Sequence, residues 1–248
     1  MVEPWSPFAY LVTNLARFVR PREVTFSGVN SSLPMLACML AKRAYDFAFT
    51  YINVAGGVDP EPSSVPISSS DPVLAEKSAA IFANEDFYDL CTRGRMDLCF
   101  LGAAQIDGRG RTNVSAIGDW HDPKVRLPGG GGGAVMLPTA RRSCTWRTEH
   151  STRTLVETLD FVTASGGPAH GGMYGVVTPI AVFVHDGDRL ALDSWHPDTT
   201  VDEVVSRTGF AVDTSRAHPT APPTDAERAA LRALDPDGAF ERDTKIRS

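Results

Sequence analysis

The residues of this chain best placed to do chemistry are glycines. Gly129-Gly130-Gly131-Gly132-Gly133 is entered through Arg126-Leu127-Pro128 and left through Ala134-Val135-Met136. Five consecutive glycines cost backbone entropy and are tolerated where the main chain must take φ > 0 or come very close to something. Two further segments have a similar texture: Gly102-Ala103-Ala104-Gln105 on to Gly110-Arg111-Thr112-Asn113, and Asn53-Val54-Ala55-Gly56-Gly57. Main-chain N–H groups exposed by glycine can cradle an oxyanion, a phosphate or an acyl carbonyl. Gly130, Gly131 and Gly132 are the candidate donors, and Asn53 and Gln105 can donate side-chain hydrogen bonds to a ketone or a water. Arg126 offers a planar fork suited to a carboxylate or phosphate. Each has a plainer alternative. The glycines can be a flexible loop, Arg126 a solvated surface charge, and Gln105 and Asn113 braces of their own loop.

The elements that must position these residues follow an α/β order. Glu23 to Val29 alternates as a strand and ends at Asn30-Ser31-Ser32, where Ser31 or Ser32 can cap a helix over Leu33 to Tyr45 with Pro34 in its first turn. Phe47 to Val54 reads as a buried parallel strand ending at Ala55-Gly56-Gly57. The proline- and serine-rich stretch from Val58 to Pro72 is a loop, and Asp71 or Ser70 introduces a predicted helix from about Val73 to Gly94. Met96 to Leu101 is the next strand and runs straight into the Gln105–Asn113 loop. Further strands are expected over Ser143–Arg147 and Val176–Asp186, with a short helix or strand over Thr152–Val162. Asp186-Gly187 centres a hairpin over Phe183–Leu192. Asp198 or Thr199 introduces a short helix over Thr200–Thr208. Thr224 and Glu227 form a capping box for a helix to Leu234, and the chain from Asp235 is expected to fray. In open α/β sheets ligands lie beyond the carboxyl ends of the strands, which is where the candidate loops fall.

Composition narrows the classes. The formal net charge of −6 leaves no basic stripe for nucleic acid. No stretch reaches the ~18 apolar residues of a membrane span, and Met1-Val2-Glu3-Pro4-Trp5 has no signal-peptide pattern. Cys38, Cys91, Cys99 and Cys144 show no CxxC spacing and read as buried free thiols of a reducing, cytoplasmic compartment. His121, His150, His170, His185, His196 and His218 are scattered, so no metal site is expected. Gly108-Arg109-Gly110 lacks the third glycine of a dinucleotide fingerprint, and neither a Walker lysine nor a GxSxG elbow occurs.

The ordered segments Gly102–Asn113, Gly129–Gly133 and Val177-Thr178-Pro179 resemble the class I coenzyme A transferase family, beta-subunit type. His196-Pro197-Asp198-Thr199-Thr200 through Thr208-Gly209-Phe210 resembles that family's HPG-x-T…TGF signature, with Asp198 in place of the usual glycine. The resemblance runs over roughly residues 23 to 212. It implies an open, mostly parallel sheet with helices on both faces and an added antiparallel hairpin. We expect one domain over residues 1–248, its tail from about 214 partly extended or helical. The resemblance also implies that transferases carry a nucleophilic glutamate in the turn matched by Asn53-Val54-Ala55-Gly56-Gly57, where this chain has no carboxylate. That departure resembles a subgroup, the beta subunits of steroid ring-cleaving hydrolases. For them the resemblance implies an α2β2 assembly with an alpha subunit that supplies the catalytic glutamate, an acyl-coenzyme A substrate, and no cofactor beyond the coenzyme A of the substrate. Under that reading Asn53, Val54, Ala55, Gly56, Gln105, Arg126 and Gly130–Gly132 line the substrate. A transferase subunit and a non-catalytic scaffold are the alternatives.

Overall fold

The computed structural model describes residues 5–166 and 171–246; His170 lies outside the described residues. In chain order the elements are α1 (Pro7–Ala16), β1 (Val24–Ser27), α2 (Ser32–Ala44), β2 (Thr50–Asn53), β3 (Gly57–Val58), a 3-10 turn (Pro72–Ala75), β4 (Ala80–Ile81), α3 (Asn84–Thr92) and β5 (Leu98–Gly102). Short pieces follow: β6 (Gln105–Asp107), β7 (Thr112–Asn113), β8 (Ala116–Gly118), β9 (Pro123–Arg126) and α4 (Gly133–Thr139). The remainder is β10 (Arg142–Trp146), β11 (Leu155–Val156), β12 (Met173–Val177), β13 (Ala181–His185), β14 (Leu190–Trp195), α5 (Val201–Ser206), β15 (His218–Pro219), α6 (Asp225–Leu234) and α7 (Ala239–Asp243).

A 10-stranded sheet runs in the order β15-β14-β13-β12-β10-β5-β1-β2-β3-β4. Its middle, from β12 to β2, is parallel throughout. Antiparallel strands extend it on both sides: β13 and β14 at one, β3 and β4 at the other. The central strands are apolar at successive positions because both faces are covered. Leu98 and Phe100 of β5 pack with residues of α1, α2 and α6, whereas Cys99 and Leu101 pack with α3, α4 and α5 on the opposite face. Helices therefore flank the sheet on both sides, and the hairpin expected at Asp186-Gly187 joins β13 to β14, with Gly187 at φ +113°. All four cysteines are buried and free.

Several local expectations are corrected. The helix expected over 73–94 is split. Asp71 does cap the Pro72 turn, but Lys77 then takes φ +50°, Ala79 N–H donates to Val58 O, and Ala80–Ile81 joins the sheet edge at β3. Only Asn84–Thr92 remains helical. The strand expected over 176–186 is broken at Thr178-Pro179-Ile180 into β12 and β13, because Thr178 Oγ1 turns the chain by bonding both the N–H and the carbonyl of Ala181. Ser31 occupies the cap position of α2 without a capping bond, and its hydroxyl donates to Val29 O instead. Thr200, rather than Asp198 or Thr199, caps α5. The segment after Asp235 is ordered: the Asp235 carboxylate accepts from Phe240 and Glu241 N–H, and the Phe240 ring is buried in the core.

Two histidines are buried in this frame beside β12. His150 reaches Thr178 Oγ1 (2.9 Å) and Thr208 Oγ1 (3.1 Å), while His196 reaches Thr220 Oγ1 (2.9 Å) and Thr178 O (3.2 Å) and stacks on Tyr10. Burial pushes the pKa of each down to about 4, with Arg207 adding to the effect at His150 and Arg17 at His196. The unfolded chain, with histidines near 6.5, binds more protons than the folded chain between those values. Their contribution to stability is therefore fully present well above pH 6.5 and is lost as pH drops toward 4, by about 2 kcal/mol per histidine at pH 5. Urea midpoints between pH 7.5 and 5 should show that slope, and the double change His150→Gln, His196→Gln should flatten it. An unchanged slope in the variant would refute the assignment.

Candidate active site

The carboxyl ends of β1, β5 and β10 open onto a cleft of about 1100 Å³. Gly28 to Leu33, leaving β1 and entering α2, form one wall, and Gly102-Ala103-Ala104, leaving β5, form the floor. Trp146-Arg147-Thr148 leave β10 beside them. The opposite wall is Leu127-Pro128 and the glycine run, and Phe240, Asp243, Thr244 and Lys245 of the C-terminal segment close the rim. The charged side chains lining it are Arg147, Asp243 and Lys245.

The glycine run is a built turn. Gly129 (φ +95°) and Gly131 (φ +46°) take left-handed conformations. A Cβ on Gly130 would come within 2.9 Å of both Ala134 Cβ and Thr163 Cγ2. Gly129 N–H donates to Val114 O and Gly133 N–H to Gly130 O, which pins both ends of the turn and starts α4. The N–H groups of Gly130, Gly131 and Gly132 make no backbone bond among the described residues. Gly130 and Gly131 lie on the cleft; Gly132 faces Tyr88 and Met136 instead. Two adjacent unengaged N–H groups at the wall of an apolar cleft can hold an oxyanion or a thioester carbonyl.

The other residues singled out from sequence sit elsewhere in this chain. Asn53 is fully buried; its amide donates to Leu74 O (3.0 Å) and its carbonyl accepts from Ala55 and Gly57 N–H, so the carboxamide is consumed in shaping its own turn. Val54 and Ala55 pack on opposite core clusters, and Gly56 turns the chain at φ +96°. None of these four lines the cleft. Gln105 accepts from Asn113 Nδ2 (2.7 Å) and Asp160 N–H (3.2 Å) and donates to Asp160 Oδ2 (3.0 Å). That closed network braces the β6–β7 hairpin, which replaces the expected open loop. Arg126 lies on the exposed hairpin of β8 and β9, its guanidinium 4.3 Å over the Trp120 ring, which stacks on Phe161. Asn30 to Leu33 and Arg147 line the site although no sequence motif marks them as ligand-binding. Arg147 ends a strand that is legible in the sequence, and the carboxyl-end rule applied to that strand points to it. Among the described residues no group of three or more His, Cys, Asp or Glu could hold a metal ion, and no helix is long and apolar enough to cross a membrane.

A family model for coenzyme A transferase matches residues 10–207. The chain belongs to the coenzyme A transferase family. Within the family it is 31% identical to one subunit of the 3-oxoadipate CoA-transferase of Pseudomonas knackmussii, over 89% of each chain. It is 30% identical to the cholesterol ring-cleaving hydrolase IpdB subunit of Rhodococcus jostii, over 64% of this chain and 67% of that one. The crystal structure of the decarboxylase AibA/AibB superposes with a TM-score of 0.87 at 30% identity, covering 96% of this chain and 98% of that one. Members of the family act on coenzyme A thioesters as parts of complexes, and one backbone therefore serves transfer, hydrolysis and decarboxylation.

Proposed function

We propose that this chain is the beta-type subunit of a heteromeric α2β2 enzyme that opens a carbocyclic ring of a steroid-derived coenzyme A thioester by hydrolysing a C–C bond. The observation that carries the reading is the turn after β2: Asn53-Val54-Ala55-Gly56-Gly57 presents no carboxylate. The family resemblance puts the transferase nucleophile in that turn, and neither valine nor alanine can form an acyl anhydride. The one carboxylate side chain lining the cleft among the described residues, Asp243, belongs to the C-terminal rim. The kinship with the IpdB subunit supports the hydrolase.

In this reading a carboxylate of the alpha-type partner takes a proton from water, and the hydroxide adds to a ring ketone β to the thioester carbonyl. The C–C bond between the two carbonyls' shared carbon and the ketone carbon breaks. The ketone carbon becomes a carboxylic acid, and the released carbon, stabilised as the thioester enolate, takes up a proton. Gly130 and Gly131 N–H would hold the enolate oxygen as its charge develops. Coenzyme A enters as part of the substrate and no other cofactor is required.

Decarboxylation is the second reading, favoured by the likeness to AibA/AibB, and coenzyme A transfer the third, favoured by the 3-oxoadipate relative. One experiment separates them. The co-purified complex is given a cyclic β-keto acyl-coenzyme A in ¹⁸O-labelled water, then borohydride. The hydrolase yields a ring-opened acid with one ¹⁸O and no label on protein. In a parallel sample, carbon dioxide released from an acyl-coenzyme A that bears a free carboxyl, with no ¹⁸O in the organic product, would make it a decarboxylase, and a reduced glutamyl thioester on either chain would make it a transferase.

A further inference from the structure

The cleft holds a side chain whose donors are only partly used. Arg147 leaves β10 with its N–H bonded to Val177 O, and its Nη1 donates to Ala103 O at 2.7 Å. The guanidinium is thereby anchored to the cleft floor. Its Nε–H is shielded from solvent and has no acceptor, and its Nη2 donates to nothing among the described residues. Nε and Nη2 form the side-on edge of the guanidinium, the edge whose two parallel N–H groups match the two oxygens of a carboxylate. Trp146, the preceding residue, also lines the cleft, and its indole N–H is buried without an acceptor among the described residues. An arginine side chain can only donate, so whatever engages the free edge of Arg147 must bring acceptors. Burial lowers the Arg147 pKa, with Glu149 opposing; Glu149 itself accepts from Ser151 and Arg153.

We propose that Arg147 is a specificity-determining residue of the cleft and recognises a free carboxylate on the acyl group, so that the site selects acyl-coenzyme A esters carrying a second, ionised carboxyl. This rests on the acyl-coenzyme A reading and adds the acyl chemistry to it. Lys245 and the exposed rim are left for the phosphates of coenzyme A, because an ammonium on an open edge suits a strongly hydrated dianion better than an anchored fork does.

The test uses the full chain with its co-purified partner subunit and two probes of equal length, glutaryl-coenzyme A and pentanoyl-coenzyme A, with free coenzyme A as reference. Calorimetric titration of the wild type should favour glutaryl- over pentanoyl-coenzyme A by about 10–100-fold, the range of a charge-assisted bond. Arg147→Met should remove that preference while pentanoyl-coenzyme A binds within about twofold of wild type. Arg147→Lys should restore part of it. Equal weakening of both esters by Arg147→Met would overturn the proposal, as would a wild type that does not discriminate while it binds both. If neither ester nor free coenzyme A binds, the acyl-coenzyme A reading itself fails and takes this inference with it.

Discussion

Glu227→Ala should lower the stability of the folded chain by about 3 kcal/mol, the low end of the cost of breaking a buried ion pair. Glu227 sits three residues after the cap of α6 with 1% of its surface exposed. Its Oε1 accepts from Arg17 Nε (2.9 Å) and Tyr45 OH (2.8 Å), and its Oε2 from Arg17 Nη2 (2.9 Å) and Thr224 N–H (2.7 Å). Arg17 caps the end of α1 and Tyr45 the end of α2, so one carboxylate ties three helix termini together. Burial alone would raise its pKa, but these donors outweigh burial and hold it below the ordinary value. Alanine would strand the Arg17 guanidinium, although Arg17 is 27% exposed and keeps its bonds to Ala221 and Pro222 carbonyls; hence the low end. For a chain of this size about 3 kcal/mol is a fall in Tm of roughly 6–12 °C. Glu227→Gln, which keeps one acceptor oxygen but sets an NH2 donor against the donors of the other, should recover only a small part of that loss. A thermal melt of Glu227→Ala within about 2 °C of wild type would show that α6 is not held this way.

That carboxylate was half legible in the sequence. Thr224 and Glu227 announce a capping box because both partners lie within three residues, and the structure has both bonds. Nothing near Glu227 announces Arg17, 210 residues away. The same division runs through the fold. The central strands and α2 are readable because apolar runs bounded by turn residues are local signals, as in Leu98–Gly102. The split of the 73–94 segment is not, because its alanines and leucines satisfy a helix while the bonds that draw it to β3 come from Gly56 and Val58. At the site the glycine run was readable, since two left-handed residues demand glycine at their own positions. For Gln105 the sequence offers the outcome found, a brace of its own loop with Asn113, whereas Leu74, which fixes Asn53, and Asp160, which completes the Gln105 network, come from elsewhere in the chain. Arg147 was legible as the end of a strand but not as an anchored donor, because its anchor, Ala103 O, lies 44 residues away.

Gly130→Ala should lower kcat on the complex's acyl-coenzyme A substrate by about 10²–10³-fold, the cost of losing one oxyanion donor, with KM within about threefold. The new methyl would sit 2.9 Å from Ala134 Cβ and from Thr163 Cγ2. Ala134 is in the first turn of α4 and has no flexible end to yield, so the turn itself must move. Thr163 cannot easily retreat, because its hydroxyl accepts from Val114 N–H and bonds Ser115 Oγ. Both tethers fix the strand-end segment to which Gly129 is also bonded. A shift of about 1 Å there carries the Gly130 and Gly131 N–H groups away from any oxygen they hold, enough to forfeit most of a preorganised contact. Global stability should fall by only about 1–2 kcal/mol, the usual cost of one excess methyl, because the run lies at the surface of the cleft. Because only a bond that strengthens in the transition state lowers kcat while sparing KM, the split between the two constants is the decisive readout. A variant that melts slightly lower yet turns over at the wild-type rate would show that these glycines shape the wall without touching the reacting atoms.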